Sequence, residues 1–183
     1  ENLTALESLN LSNNNLINEL TALPEETENL TLLSYLDLSN NQFMGEIPEV
    51  ITELVNLTTL NVSNNLFDSG LDYINQIELL YLSNNSFMGS LPSVNQLNPN
   101  ITTLHLDNNY FGCLDYDLND AVCDEYCDEN NNCLSNIPGD YDGLSILNHL
   151  YLHNNYLSGE VPSTLPASLI SLQLENNRFS GQL

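Results

Sequence analysis

Three histidines, four cysteines and a run of acids are the residues of this chain able to move protons or hold a metal. His153 with Asp107 and Glu175 is a chemically possible metal site, an imidazole flanked by two carboxylates. A histidine paired with an acid is also the smallest kit for general acid–base work. No nucleophile motif accompanies these residues, so no catalytic residue is assigned. The competing reading is an aromatic and hydrogen-bonding patch of Tyr81, His105, His149 and Tyr151, with Tyr35 a further concave-face binding candidate, suited to binding a protein or a sugar.

The cysteines, Cys113, Cys123, Cys127 and Cys133, fall close together. An even number in a chain rich in glycosylation acceptors reads as two disulfides formed in an oxidising compartment. Three pairings are open. Zinc held by all four is the alternative, although the usual Cys-x2-Cys knuckles are missing. The acids of the same segment include Asp115, Asp117, Asp120, Asp124, Glu125, Asp128 and Glu129. Asp115-Tyr-Asp-Leu-Asn119 starts like a calcium loop, but Asp120 stands where glycine belongs and Tyr126 where glutamate belongs. The expectation is a short helix from about Leu118 to Tyr126 capped by Asp117, with solvated acids. Weak calcium binding by this acidic insertion is the alternative.

What must position these side chains is a repeat. Leu9-Asn-Leu-Ser-Asn-Asn14, Leu36-Asp-Leu-Ser-Asn-Asn41, Leu60-Asn-Val-Ser-Asn-Asn65 and Leu80-Tyr-Leu-Ser-Asn-Asn85 align without gaps. Leu104-His-Leu-Asp-Asn-Asn109, Leu150-Tyr-Leu-His-Asn-Asn155 and Leu172-Gln-Leu-Glu-Asn-Asn177 complete seven copies. The alternation buries both apolar residues of each copy on one face of a short strand. Such a strand cannot bury that face alone, so neighbours must stack into a parallel sheet. The asparagines at the end of each copy, Asn14, Asn41, Asn65, Asn85, Asn109, Asn155 and Asn177, are expected to form an inward ladder that satisfies backbone groups.

The pattern resembles the plant-type leucine-rich-repeat family, found in receptor-like ectodomains and polygalacturonase-inhibitor-like proteins. Its Gly-x-Ile-Pro tail is visible as Gly45-Glu-Ile-Pro48, Gly89-Ser-Leu-Pro92 and Gly159-Glu-Val-Pro162. Asn18 and Cys113 stand where the first and fifth copies should carry glycine, and Gly70 comes one position late. The resemblance implies an α/β-type solenoid of seven repeats, with a short parallel sheet on its concave face and an irregular or 3-10 convex side. One continuous domain is expected: residues 1–112 as repeats one to five, 113–143 as the disulfide-bonded acidic insertion, and 144–183 as repeats six and seven.

Alternation then lists the outward rows of the concave face. Asn10, Asp37, Asn61, Tyr81, His105, Tyr151 and Gln173 form the middle row. Ser12, Ser39, Ser63, Ser83, Asp107, His153 and Glu175 form the next. All three histidines thus share the concave side in strands five and six.

Asn-x-Ser/Thr acceptors occur at Asn2, Asn10, Asn29, Asn56, Asn61, Asn84 and Asn100, which predicts N-linked glycans on an extracellular, secreted or surface chain. Asn10 and Asn61 lie in the concave middle row, where glycans would obstruct a partner. The net charge is −24, with Arg178 the single cation against 25 acids. That excludes a basic footprint for nucleic acid. No apolar run is long enough to insert in a membrane. Glu1 in place of a start methionine marks a processed chain or a segment of a longer one.

Two functions follow as expectations, neither of them enzymatic and neither needing a cofactor. The first is a structural building block of a filament or coat, made by copies joined head to tail. Neither end offers a polar cap, and joining Leu183 to a following Glu1 would keep the repeat in register. The alternative is recognition of a protein, peptide or polysaccharide through the concave face.

Overall fold

In the computed structural model, residues 3–19, 29–113, 116–117, 122–123 and 136–181 are described. Seven three-residue strands make one parallel sheet: Ser8–Asn10, Tyr35–Asp37, Thr59–Asn61, Leu79–Tyr81, Thr103–His105, His149–Tyr151 and Ser171–Gln173. The apolar residues of each copy pair in register across neighbouring strands, as in Leu36 with Leu60 and Leu104 with Leu150. Leu36, Leu60, Leu80, Leu104 and Leu150 are all buried, so each of the five inner strands adds one layer to a continuous core, while Leu9 is half-buried and Leu172 exposed on the two end strands. Among the described residues the opposite side carries short 3-10 turns, Glu49–Glu53, Leu71–Tyr73, Val94–Gln96 and Tyr141–Gly143.

Each Leu-x-Leu ends in two asparagines with different tasks. The first takes the left-handed conformation in all seven copies, with φ between 54° and 57°. Asparagine tolerates that region better than other residues with a Cβ, so the chain can leave the strand there. The second points inward and bonds to two turns at once. Asn65 Nδ2 donates to the carbonyls of Val62 in its own turn and Leu38 in the turn before, both at 3.0 Å. Its Oδ1 accepts the N–H of Phe43 at 3.0 Å. Asn41, Asn85, Asn109, Asn155 and Asn177 repeat this arrangement. The strand-end carbonyls from Leu11 to Leu152 therefore each receive two ladder amides; the carbonyl of Leu106, for example, serves Asn109 and Asn155. Asn14, in the first copy, bonds within its own turn to the Leu11 and Ser12 carbonyls and is exposed.

Beyond the ladder an apolar spine runs down the solenoid. Phe43 stacks on Phe67 and Phe87 on Phe111, each with ring centroids 6.1 Å apart. A second parallel sheet, Ile17–Glu19, Gln42–Glu46 and Leu66–Ser69, flanks the first three turns, and Met88–Gly89 pairs with Tyr110–Phe111 further on. The repeat pattern alone had placed no strands there.

Two local expectations need correction. In the fifth copy the glycine is not replaced by Cys113 but displaced one position earlier. Gly112 makes the left-handed turn at φ 94°, and a Cβ on it would meet the Tyr156 carbonyl oxygen at 2.4 Å. In the insertion, Val122–Cys123 is extended and pairs antiparallel with Tyr116–Asp117, which excludes a helix through those residues. Tyrosine and valine favour strand, and the aspartates and Asn119 of this stretch are poor helix formers. Cys113 is disulfide-bonded. The side chains of Cys123, Cys127 and Cys133 and the insertion's acids from Asp115 to Glu129 lie outside the described residues, so the disulfide pairing and calcium expectations do too.

The insertion leaves strand order intact, because Thr103–His105 pairs directly with His149–Tyr151. Where the chain returns, Tyr141 is fully buried and its hydroxyl donates to the Pro92 carbonyl at 2.7 Å. Burial, with Asp140 nearby, holds that phenol well above its ordinary range.

The ladder sets a graded stability test. Asn109→Leu orphans the buried N–H of Phe87 and halves the bonding of two strand-end carbonyls, at a cost of about 3 kcal/mol. Asn14→Leu, at the exposed first rung, should cost less than about 1 kcal/mol. Chemical denaturation of both variants checks the contrast, and equal losses would contradict it.

Candidate functional site on the concave face

The outward side chains of the fourth, fifth and sixth strands form one aromatic surface. The rings of Tyr81 and His105 meet edge to face at 4.9 Å, and His105 lies 4.2 Å from Tyr151. Tyr151 in turn contacts His149 at 6.3 Å and His153 at 6.4 Å. Strand register brings these rings together, since Tyr81, His105 and Tyr151 are directly paired neighbours. Rows of this kind are spaced about 4.8 Å apart, close enough for rings to stack from strand to strand.

Asp107 anchors one side of the patch. It is buried, accepts the Ser83 hydroxyl at 2.7 Å and the Asn108 amide at 2.6 Å, and stands 3.5 Å from His153 Nε2. Nδ1 of His149 and Nδ1 of His153 are buried with no hydrogen-bond partner among the described residues. Burial holds the His105 imidazole below its usual value; Asp107 opposes this, and His149 and His153 reinforce it.

Other residues singled out by sequence fall elsewhere. Tyr35 lies two strands from Tyr81 and donates to Asp37 at 3.1 Å. Partial burial and that carboxylate hold its phenol above the usual value. Glu175 is exposed, and no three His, Cys, Asp or Glu side chains gather as a metal site among the described residues. The possible triad of His153, Asp107 and Glu175 is therefore not assembled: only His153 and Asp107 come together. Asn10 and Asn61 face the concave side on the first and third strands, each accepting the N–H and hydroxyl of the serine two residues on. Asn56, Asn84 and Asn100 are exposed and Asn29 is half-buried, while Asn2 lies outside the described residues.

The model of the leucine-rich repeat matches residues 5–30, 32–54, 76–96 and 147–167. Together with the asparagine-braced parallel solenoid, that match decides the family. The chain is a leucine-rich-repeat protein of the plant type. No curated protein sequence matches it. Among solved structures this leucine-rich-repeat chain is similar to two receptor-kinase ectodomains of Arabidopsis. One is HAESA in complex with a peptide hormone, at 27 % identity and a TM-score of 0.72 over 100 % of this chain. The other is GASSHO1/SCHENGEN3 in complex with Casparian strip integrity factor 2, at 25 % identity and 0.72 over 97 %. It is also similar to a pollen receptor kinase 3, at 26 % identity and 0.72 over 96 % of this chain and 76 % of that one. The chain spans only 27 % of the HAESA structure and 19 % of the GASSHO1 structure. These likenesses back the recognition reading of the sequence over the filament reading.

The His105 environment carries a pH signature. Its folded value lies below the unfolded 6.5, so the unfolded chain takes up the proton first as pH falls. Stability from this group is therefore full above pH 6.5 and lost progressively below it. Thermal unfolding of wild type against His105→Phe between pH 7.5 and 5 should show the wild type losing ground as pH drops. A difference independent of pH, or one of opposite sign, would contradict this.

Proposed function

We propose that this leucine-rich-repeat chain is a non-catalytic recognition segment of an extracellular ectodomain, binding a peptide through the concave face of strands four to six. The observation that carries the reading is the continuous Tyr81–His105–Tyr151 surface with the Asp107–His153 pair beside it. Rigid aromatics with a few convergent polar groups make an anchor surface at low entropic cost. The likeness to the HAESA ectodomain, solved with a peptide hormone, supports the same reading.

Charge narrows the class of ligand. A chain of net −24 attracts a cationic peptide and repels an acidic one, over a range set by ionic strength. Glycans on Asn10 and Asn61 would cover the first and third strands and leave strands five and six open, so concave acceptors are compatible with a ligand surface. N-linked glycosylation and disulfides through all four cysteines belong to this extracellular reading.

Selection of a random peptide display library on the purified chain tests it. Lys- and Arg-bearing peptides should be enriched, and Tyr151→Ala should weaken a selected peptide at least tenfold without changing the unfolding midpoint. Absence of any enriched peptide, or binding untouched by Tyr81→Ala and Tyr151→Ala, would overturn the proposal.

A further inference from the structure

A second surface, on the flank where the strands turn out of the sheet, is built differently in the last three turns from the rest. In the first two copies the left-handed asparagines bond back to their own serines, Asn13 to Ser12 and Asn40 to Ser39. In the last three copies they bond to one another across turns. Asn176 Nδ2 donates to Asn154 Oδ1 at 2.6 Å, and Asn154 Nδ2 donates to Asn108 Oδ1 at 2.8 Å. Asn108 in turn donates to the buried Asp107 carboxylate at 2.6 Å, so the amide chain ends on a fixed charge that polarises it.

Aromatic residues appear beside this chain and only there. The position after the ladder asparagine is Asn15, Gln42, Leu66 and Ser86 in the first four copies, then Tyr110, Tyr156 and Arg178. Tyr110 stacks on Tyr156 with centroids 6.2 Å apart, and the Arg178 guanidinium lies 5.0 Å over the Tyr156 ring. Exposed Asn154 and Asn176, half-buried Asn108 and the two tyrosines together line a cleft of about 430 Å³. That is within the roughly 300–1,000 Å³ range of small-ligand sites.

The chemistry of the lining selects among ligands. A primary amide has two donors and an acceptor oxygen with two lone pairs, so Asn154, after its two bonds along the chain, keeps one N–H and one lone pair for an outside group. Asn176 and Asn108 add more of both kinds. Alternating donors and acceptors at fixed spacing, beside the rim of the stacked Tyr110–Tyr156 pair, match the hydroxyls and C–H groups of a sugar ring. An anion finds only Arg178 in a field of net −24, and an apolar ligand would strand the amides.

We infer that the Asn108–Asn154–Asn176 flank with Tyr110 and Tyr156 is a binding site for a neutral saccharide, separate from the concave peptide surface. The sugar has two sources: an external oligosaccharide, or the chain's own glycan. Asn84 is an exposed acceptor in the same left-handed row, one turn before Asn108, and its neighbour Asn85 lines the cleft.

Calorimetric titration with cellohexaose, chitohexaose and mannohexaose, with polygalacturonate as the anionic control, tests the site on glycosylated wild type and on Asn84→Gln. At least one neutral hexasaccharide should bind, and polygalacturonate should not. Binding to both proteins identifies an external ligand; binding only after Asn84→Gln identifies the Asn84 glycan as the resident sugar. Asn154→Gly keeps the left-handed turn and removes only the amide, so it should weaken binding at least tenfold without lowering the unfolding midpoint; Tyr156→Ala should also weaken it at least tenfold. The inference fails if no neutral saccharide binds either protein, if binding survives both Asn154→Gly and Tyr156→Ala, or if the concave variant Tyr151→Ala abolishes it instead. Because the peptide surface is read with Tyr151→Ala, failure of one site leaves the other standing.

Discussion

The inner turns of this solenoid bring strand-end carbonyls and a spine N–H into a region closed to water, and the structure depends on giving each of them a partner. One side chain does this repeatedly. The inward asparagine is small enough for the corner, and its amide offers donors and an acceptor on one rigid plane. A leucine would fill the space but leave the backbone unpaired. A serine lacks the reach to serve two turns. Because the inner strand-end carbonyls receive amides from successive turns, as Leu82 does from Asn85 and Asn109, a rung supports the turns on both sides of it. The same bonds fix the N–H groups of Phe43, Phe67, Phe87 and Phe111, so the ladder also sets the stacked apolar spine.

With the inside committed to the ladder, leucines and spine, the outward positions are free to vary, and chemistry collects there. Asp107 stands where two of these surfaces meet. Its carboxylate faces His153 on the concave side and terminates the amide chain of Asn108, Asn154 and Asn176 on the flank. Its burial and its bond to Ser83 make it a fixed reference for both. The two proposed ligands, a cationic peptide and a neutral sugar, meet at this corner of the fifth and sixth turns without sharing contact residues. The long insertion between the fifth and sixth strands does not disturb the corner, because buried Tyr141 restores the core on the chain's return.

Much of this was legible in the sequence, for a physical reason. The Leu-x-Leu period and the constant asparagine offset repeat seven times, so burial and register are over-determined, and the outward rows follow by alternation. Features that depend on φ rather than on hydrophobicity were harder to read. The paired asparagines look alike in sequence, yet one is there for its left-handed backbone and the other for its amide. Gly112 was hidden because the turn arrives one residue early, and only the approach of the Tyr156 carbonyl shows why glycine must be there. The flank cleft carries no motif at all. It arises when turns far apart in sequence stack, placing Asn108 beside Asn154 across a 46-residue interval. Concave acceptors at Asn10 and Asn61 favoured a filament in the sequence reading, because alternation gives the face but not how far along it a ligand surface lies.

The most direct test of the central claim is hydrogen exchange, followed by NMR, at the side-chain amides of the asparagines. If the ladder is the dry, shared bonding network described, the Nδ2 protons of Asn65, Asn85, Asn109 and Asn155 will exchange as slowly as the backbone amides of Leu80 and Leu104. The Nδ2 protons of exposed Asn14 will exchange at the rate of a solvated amide. Fast exchange at the four inner rungs, with the sheet amides still protected, would show that the sheet holds without them and would contradict the account.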